Sequence, residues 1–222
     1  MARVVSTKKL LPNQRHFLLN AGLSVVEAYF IGITYKPFNI NAIKPNLVFT
    51  SRNGFEGFLK HKLSAVYTGS SVFCVGNNTR IFVERSRFNV VAIADDAYTL
   101  AGIIVKDYPH DSFTFFSGNL RRDELPLALT EAKIDFNEIE VYETALTPHK
   151  ITSKPDGILF FSPSGIESYL KENAITDEAC FCIGNTTAAA LAGITDNVII
   201  ANKPSVENVI VQVRNYFSKE QI

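Results

Sequence analysis

Five short polar turns contain most of the residues in this sequence that could do chemistry. Each turn follows an apolar run and precedes a predicted helix, and each is rich in Ser, Thr, Asn and Gly. Their polar and glycine positions are Ser51, Asn53, Gly76, Asn77, Thr79, Ser117, Gly118, Asn119, Ser162, Ser164, Gly165, Gly184, Thr186 and Thr187. Free N–H groups at a helix start, beside short hydroxyl side chains, can bind anions. The turns therefore predict a binding site for a ligand with several anionic groups.

The same residue types are also ordinary helix caps, so local structure alone can explain any single turn. Five turns of one kind favour the ligand-binding interpretation. In open α/β sheets such turns line the crevice at the carboxyl ends of the strands, where ligands bind. We therefore expect the turns to lie along such edges.

The elements that position these turns occur twice. Residues 159–170 (LFFSPSGIESYL) line up with residues 48–59 (VFTSRNGFEGFL), and residues 182–187 (CIGNTT) line up with residues 74–79 (CVGNNT). In the longer pair, an apolar strand is followed by a helix with apolar residues at i, i+3 and i+4. Two halves of similar construction are predicted.

A capping box predicts where each repeated helix begins. In this motif the cap side chain accepts a free N–H group, and a glutamate three residues later reaches back. Asn53 with Glu56 and Ser164 with Glu167 fit the motif. We therefore expect Asn53 and Ser164 to cap these two helices, which are predicted over residues 53–60 and 165–171.

Strand and helix patterns alternate along the chain, which is typical of α/β proteins with parallel sheets. The second half has too few strands for a complete domain, and the strands before Ile33 complete it. We predict a discontinuous α/β domain of residues 1–34 and 147–222, with residues 35–146 inserted as a second α/β domain. The chain would cross between them twice and form a hinge, with the two rows of turns facing a cleft.

Composition and charge exclude several kinds of partner. Of the 222 residues, 46% are apolar and 20% are charged, as in ordinary globular proteins. Lys and Arg number 22 and so do Asp and Glu, which removes the usual electrostatic argument for nucleic acid or an anionic membrane. The N-terminus lacks the apolar core of a signal peptide, and no apolar run approaches the ~20 residues of a membrane span. We expect a cytoplasmic protein without nucleic-acid or membrane partners.

Sequence motifs of several catalytic classes are missing. Cys74, Cys180 and Cys182 lie in apolar strands, as buried thiols in a reducing compartment do, and four scattered histidines lack zinc-like spacing. The sequence contains no G-x-G-x-x-G, no P-loop and no G-x-S-x-G motif. We expect no metal, no nucleotide and no nucleophilic catalysis.

Tyr142 is the candidate acid. It lies in an apolar strand beside a predicted crossing between the domains, so its hydroxyl could face the cleft, although a strand tyrosine is as often simply packed. A phenol, with an ordinary pKa of about 10, keeps its proton at neutral pH and can give it to a leaving oxygen.

Basic residues near strand ends could pair with ligand carboxylates or be solvated surface charges; they are Lys8, Lys9, Arg52, Arg80, Arg121, Arg122 and Lys203.

Seven blocks in order resemble uroporphyrinogen-III synthase, the family of tetrapyrrole-pathway enzymes that cyclise hydroxymethylbilane. The blocks are VFTSRNGFEGF, CVGNNT, FFSGNLRRDELP, VYET, FFSPSGIESYL, CIGNTTAAAL and ANKPSVENV, and the resemblance extends over about residues 45–213. The N-terminal block departs from the family, which often has Arg-Pro after the first strand, where this chain has Ser6, Thr7, Lys8 and Lys9.

The resemblance implies two flavodoxin-like lobes with parallel sheets, joined by a two-stranded connector around a cleft. It implies a cofactor-free hydro-lyase reaction of porphyrin and haem biosynthesis. The linear tetrapyrrole loses its terminal hydroxyl, the last pyrrole is inverted through a spiro intermediate, and the ring closes. Tyr142 matches the family's candidate general acid, and Thr79, Ser162 and Thr187 match polar cleft positions. The substrate carries an acetate and a propionate on every pyrrole, which suits the polar turns.

The sequence is also compatible with two other interpretations. A two-lobed, non-catalytic binding protein for a small polyanion would share the turns, but we would expect an export signal. A receiver-like regulatory protein would need clustered acidic residues at its strand ends, where this sequence has Ser, Thr, Gly and Asn. We expect a monomer that acts on a small molecule.

Overall fold

Alternating strands and helices make up most of the chain in a computed structural model that describes residues 1–219. The strands are β1 (Arg3–Ser6), β2 (Ser24–Glu27), β3 (Ile31–Tyr35), β4 (Asn46–Phe49), β5 (Ser71–Val75), β6 (Asn89–Ala94), β7 (Ser112–Gly118), β8 (Asp135–Leu146), β9 (Gly157–Phe160), β10 (Ala179–Cys182) and β11 (Val198–Ile200). The helices are α1 (Pro12–Asn20), α2 (Arg52–Leu59), α3 (Asn77–Arg85), α4 (Ala97–Asp107), α5 (Glu124–Glu131), α6 (Pro163–Leu170), α7 (Asn185–Ala189) and α8 (Val206–Lys219).

The strands form two sheets. One has the order β11-β10-β9-β1-β2, and the other has the order β3-β8-β7-β4-β5-β6. All four pairings of the five-stranded sheet are parallel, and so are the pairings from β8 to β6 in the other. The predicted α/β class with parallel sheets is confirmed.

The chain divides into two compact units, Met1–Gly32 with Ala145–Ile222, and Ile33–Thr144. The first unit contains the whole five-stranded sheet. The second contains β4 to β7 and most of β8, while β3 and β8 each include a unit boundary.

The two units share one spatial order of strands but differ in chain order. From one edge to the other, β11, β10, β9, β1 and β2 correspond to β6, β5, β4, β7 and β8. In the first unit the strands β1 and β2 come first along the chain, whereas in the second their counterparts β7 and β8 come last. The units are therefore circular permutations of each other, and the repeated sequence segments occupy equivalent positions.

Large apolar side chains hold the central strands of each unit. Every residue of β9 and β10 is buried. In the second unit the rings of Phe49 on β4 and Phe116 on β7 stack with centroids 5.0 Å apart, and Phe58 of α2 packs 5.0 Å from Phe116. Full burial of one such side chain contributes about 1.5–3 kcal/mol. This packing fixes the two strands whose ends form the site described below.

Helices α2 and α6 begin earlier than the capping boxes predicted. Their N-caps are Ser51 and Ser162, which have extended backbones and whose hydroxyls each accept the N–H of the glycine three residues later at 3.1 Å. The prediction that Asn53 and Ser164 are the caps is wrong, because both residues already lie in the first helical turn. The hydroxyl that comes directly after the strand reaches the free N–H groups first.

Strand β7 is longer than the sequence pattern predicted. Ser117 and Gly118, which were expected in a turn, are its last two residues, and only Asn119 lies beyond it. The extension exists because β8 is 12 residues long and pairs with β7 as far as Tyr142.

The final helix, α8, packs on the five-stranded sheet. Its N-cap is Ser205, whose hydroxyl accepts the Asn208 N–H at 3.2 Å, and Val209, Val213 and Phe217 are buried in the core of the first unit. Within residues 1–219, no helix combines the length and the apolar character needed to cross a bilayer.

Candidate active site

Each sheet has a point at which the connections from two neighbouring strands leave in opposite directions. In the second unit this point lies between β4 and β7, and in the first unit it lies between β9 and β1. Ligands of open α/β sheets bind at such points, outside the carboxyl ends of the strands. The turns after β4 and β9 hold the two serine caps, so both caps lie where a ligand site is expected.

Ser51 and Tyr142 meet at the carboxyl edge of the second unit. Tyr142 is on β8, and its hydroxyl lies 3.1 Å from Ser51 Oγ. Ser51 Oγ also accepts the Gly54 N–H, and a serine oxygen has a second lone pair to accept from the phenol. The Tyr142 side chain is half-buried. The pair places a phenolic proton beside a helix N-terminus.

Gly118 provides the surface under the Tyr142 ring. The two residues are paired across β7 and β8, just past an irregularity in the register. A Cβ on Gly118 would overlap the ring carbons of Tyr142. Only glycine therefore lets the tyrosine lie in this position.

Asn119 joins the ends of β7 and β8. Its Nδ2 donates to the Thr144 carbonyl at 3.2 Å, and its Oδ1 accepts the Thr144 N–H at 2.8 Å. Both ends of the amide are thus bonded to the strand that carries Tyr142, while Ser117 is buried. The turn after β7 is therefore attached to β8 two residues beyond Tyr142.

A second tyrosine lies in the same unit and was missed by the sequence analysis. Tyr35 on β3 donates its hydroxyl to Glu56 Oε2 at 2.5 Å, and Arg52 Nε donates to Glu56 Oε1 at 2.8 Å. Burial, followed by the bond to the Glu56 carboxylate, raises the pKa of Tyr35 to about 12. Glu56 therefore acts as a partner for Tyr35 and Arg52, and its i, i+4 spacing from Arg52 was the only signal in the sequence.

The turn after β5 lies beside the turn after β4. Gly76 has a φ of 81°, in the left-handed region that favours glycine, and its N–H donates to the Ala94 carbonyl at 2.9 Å. Asn77 is exposed and accepts Arg80 Nε at 3.0 Å, whereas Thr79 is buried in the first turn of α3. Asn53, in the first turn of α2, is half-buried.

The first unit repeats the serine cap with different neighbours. Ser162 Oγ accepts the Gly165 N–H and lies 3.2 Å from Ser164 Oγ. Thr7, directly after β1, is buried and donates its hydroxyl to the Leu159 carbonyl at 2.8 Å. Thr7 was missed by the sequence analysis, although its place at the end of a predicted strand was a usable signal.

The turn after β10 repeats the turn after β5. The Gly184 carbonyl accepts the N–H groups of Thr187 and Ala188 at 3.1 and 3.0 Å. Thr187 is buried and Thr186 is exposed. Gly184 has extended backbone angles, unlike its counterpart Gly76. The buried threonine, three residues after each glycine, is the shared feature.

Most basic residues near these turns already have partners. Arg121 bonds to Glu138 at 2.6 Å and also to Asp123. Arg80 and Arg122 pair with Glu84 and Glu124 at 3.7 and 3.6 Å. Lys8 and Lys9 lie over the rings of Phe161 and Tyr29 at 5.6 and 5.5 Å. The two lysines after β1 thus lie against aromatic rings of the first unit.

The structure thus brings Ser51, Gly118, Asn119 and Tyr142 together at one edge, with the turn after β5 beside them. It groups Ser162, Ser164 and Gly165 with Thr7 in the same way, with the turn after β10 next to them. In the second unit a phenolic proton therefore lies beside a helix N-terminus, and in the first unit serine and threonine hydroxyls do.

The comparisons with known proteins agree with each other. A family model described as uroporphyrinogen-III synthase HemD matches residues 18–210. The uroporphyrinogen-III synthetase from Helicobacter pylori is 19% identical, with a TM-score of 0.71 over 97% of this chain and 100% of its own. A mutant uroporphyrinogen III synthase from the extremely thermophilic bacterium Thermus thermophilus is 12% identical, with a TM-score of 0.71 over 99% of this chain and 100% of its own.

A search of curated protein sequences finds no match. At such low identities the solved structures show that the fold is shared, whereas the family model covers most of the sequence. The chain therefore belongs to the uroporphyrinogen-III synthase family.

Proposed function

We propose that this chain catalyses the reaction of its family, the cyclisation of hydroxymethylbilane to uroporphyrinogen III, as a lyase of haem biosynthesis. The terminal hydroxyl of the linear tetrapyrrole leaves as water, the last pyrrole is inverted through a spiro intermediate, and the macrocycle closes. The observation that carries the proposal is the family match over residues 18–210. The Ser51–Tyr142 pair at a ligand-binding edge supports it.

Tyr142 is proposed as the general acid. As the C–O bond breaks, the phenolic proton goes to the leaving hydroxyl to form water, and the pyrrole nitrogen supplies electrons, so that the terminal ring becomes the N-protonated azafulvene, a cation whose charge balances the phenolate. The phenolate that remains needs a donor. Ser51 supplies one, because its hydroxyl can rotate to donate to the phenolate while its other lone pair still accepts the Gly54 N–H. General acid catalysis typically contributes about 10²–10⁴-fold, and we assign Tyr142 a smaller share, roughly ten- to a thousandfold, because positioning of the substrate carries most of the rate.

The polar turns are proposed to bind the substrate carboxylates. Helices α2, α3 and α6 present N-terminal N–H groups behind the turns after β4, β5 and β9, and an exposed charge–terminus contact is worth about 0.3–1 kcal/mol. Several such contacts would hold a flexible substrate in its reactive shape, and positioning then accounts for most of the rate. Asn119 is proposed to act indirectly, by holding β8 and Tyr142 in place.

The product isomer tests the proposed function. Enzymatically made hydroxymethylbilane closes spontaneously to the type I ring, in which no pyrrole is inverted. We expect the purified chain to convert it chiefly to the type III ring, measured by separating the oxidised isomers. A product that contains only type I ring, at any protein concentration, would contradict the proposal.

We further propose that the chain works in the cytoplasm as a monomer. Cys74, Cys180 and Cys182 are free thiols, and burial raises their pKa values to about 11, about 12 and about 12. Buried, unpaired thiols are typical of reducing compartments. Size-exclusion chromatography with light scattering measures the mass, and a mass near 24.6 kDa is expected.

A further inference from the structure

A cavity of about 590 Å³ lies in the second unit, between residues 35–38, which begin at the last residue of β3, and residues 60–63, which follow α2. None of its lining residues belongs to the polar turns. Its volume lies within the range of about 300–1,000 Å³ found for small-molecule sites. The cavity is large enough for one substituted aromatic ring.

Rigid aromatic rings form much of its wall. Phe38 is anchored in the core by contacts with Phe58 and Phe116, at centroid distances of 6.5 and 5.9 Å. His61 lies 5.0 Å from Phe38 on the cavity side. Flat rings held in place favour a flat partner, since aromatic rings gain from stacked and edge contacts.

Two lysines make the cavity electropositive. Lys36 is neutralised, because Glu140 and Glu143 lie 2.5 and 3.2 Å from its Nζ. Lys60 lies 5.4 Å over the Tyr35 ring, and the part of the chain that the structure describes places no carboxylate within ion-pair distance of Lys60 or Lys62. A ligand with one or two carboxylates complements these charges.

Helix α2 connects the cavity to the Ser51–Tyr142 pair. Arg52, Glu56 and Lys60 follow one another at i, i+4 spacing, and Tyr35 bonds to Glu56 while its ring lies beneath Lys60. Nine residues separate Ser51 from Lys60, which corresponds to about 14 Å along a helix. A chain of four linked pyrroles is long enough to cover this distance.

We propose that this cavity binds one carboxylate-bearing pyrrole ring of the linear tetrapyrrole, at a distance from the ring that reacts. The inference rests on the proposed function for the identity of the ligand. The aromatic wall would hold the pyrrole face, and Lys60 and Lys62 would bind its acetate and propionate. The contact contributes to substrate affinity and takes no part in bond breaking.

A single pyrrole with one acetate and one propionate is a direct probe. Titrated into the wild-type chain and followed by isothermal titration calorimetry, it should bind saturably and more weakly at high salt. The double variant Lys60→Ala/Lys62→Ala should bind it at least about tenfold more weakly. The matched control Arg85→Ala/Lys106→Ala removes two exposed charges from the last turns of α3 and α4, and it should bind as the wild type does.

Kinetics with the full substrate separate this proposal from the proposed function. In the lysine variant we expect KM to rise about tenfold with kcat unchanged. Probe binding that depends on the two lysines, in a chain that forms no type III ring, would overturn the proposed function and still show that the cavity binds a carboxylate-bearing pyrrole. Formation of type III ring with an unchanged KM in the lysine variant would overturn the cavity proposal, and so would the absence of saturable probe binding to the wild type.

Discussion

In each unit the strand connections diverge at one point, between β4 and β7 or between β9 and β1. These two points have the same backbone arrangement and different chemistry. Ser51 in the second unit and Ser162 in the first both cap a helix through the N–H of a glycine three residues later, at the same distance of 3.1 Å. Both caps follow a central buried strand, and the strand orders around them are equivalent. The backbone at both sites therefore presents a free helix N-terminus.

The difference lies in the neighbouring strands. In the second unit β7 reaches Gly118 and β8 has 12 residues, whereas β1 ends at Ser6 and β2 has four residues. Tyr142 lies on the extra length of β8, and its hydroxyl reaches Ser51. In the first unit Lys8 and Lys9 follow the shorter strand. The longer strand pair thus adds a proton donor to a turn that otherwise only attracts anions.

The largest expected effect is that of Tyr142→Phe. The variant keeps the ring over Gly118 but loses the proton, so turnover should fall roughly ten- to a thousandfold while the unfolding free energy changes by less than about 1 kcal/mol. Steady-state assays of type III ring formation measure the first quantity and urea unfolding measures the second. Tyr29→Phe, the same change in the first unit, is the control and should leave turnover unchanged. Equal turnover in wild type and Tyr142→Phe would remove the chemical distinction between the units.

The next largest difference is expected in the loss of stability when alanine replaces Gly54 or Gly165, the glycines whose N–H groups the serine caps accept. A Cβ at Gly54 would lie 2.9 Å from the Phe116 carbonyl, which is backbone, whereas at Gly165 the nearest atom would be the Ser162 hydroxyl at 3.3 Å. Gly54→Ala should lower the unfolding free energy by about 1–3 kcal/mol, and Gly165→Ala should lower it by less than about 1 kcal/mol. Urea unfolding tests this, with Gly102→Ala, in open space on α4, as the control. A larger loss for Gly165→Ala would reverse the predicted order.

Removing either serine cap should cost a similar amount of stability. Ser51→Ala and Ser162→Ala each lose one cap hydrogen bond, worth about 1 kcal/mol. Turnover should fall several-fold only for Ser51→Ala, because only that hydroxyl orients Tyr142. Parallel thermal unfolding and turnover assays check both points. Equal turnover losses in the two variants would show that the Tyr142 contact has no special effect.

The two buried threonines test whether both units bind substrate. Thr79 and Thr187 occupy the third position of α3 and α7, and both are buried. We expect Thr187→Ala and Thr79→Ala each to raise KM about three- to tenfold through the loss of a hydrogen bond to the substrate. An unaltered KM for Thr187→Ala would mean that this threonine serves only the helix start.

The smallest expected effect concerns the pH dependence of the stability that Asp96 provides as the N-cap of α4. Asp96 accepts the Thr99 N–H at 2.7 Å, which lowers the pKa of its carboxyl, while Ser205 is the equivalent cap in the first unit. A lowered folded-state pKa means that the contribution is present above the ordinary value of about 3.9 and is lost as pH falls through the folded value.

Asp96→Ser should therefore match the wild type at pH 7 within about 0.5 kcal/mol and lose less stability between pH 5 and about pH 3. Urea unfolding across this range measures the difference, and exposed Asp95→Ser is the control. Parallel pH curves for wild type and Asp96→Ser would contradict the assignment.

Several features of the site could be predicted because they depend on neighbours in the sequence. The alternation of apolar strands and polar turns predicted the α/β fold, and Ser71–Val75 was predicted with its observed bounds. The capping boxes failed because Ser51 and Asn53 both suit a cap, and only the end of β4 decides which one lies before the helix. Glu56 was assigned to the cap for the same reason and instead bonds to Tyr35.

Local spacing thus determined which segments form helices and strands and which turns are polar, since capping and periodicity act over three or four residues. Tertiary structure alone decided that Tyr142 meets Ser51, which is 91 residues away in sequence, and that Thr7 bonds to the Leu159 carbonyl, 152 residues away. These contacts depend on the order of strands in a sheet and on how far β7 and β8 extend together. Both are set by packing between distant segments, which the spacing of neighbouring residues does not encode.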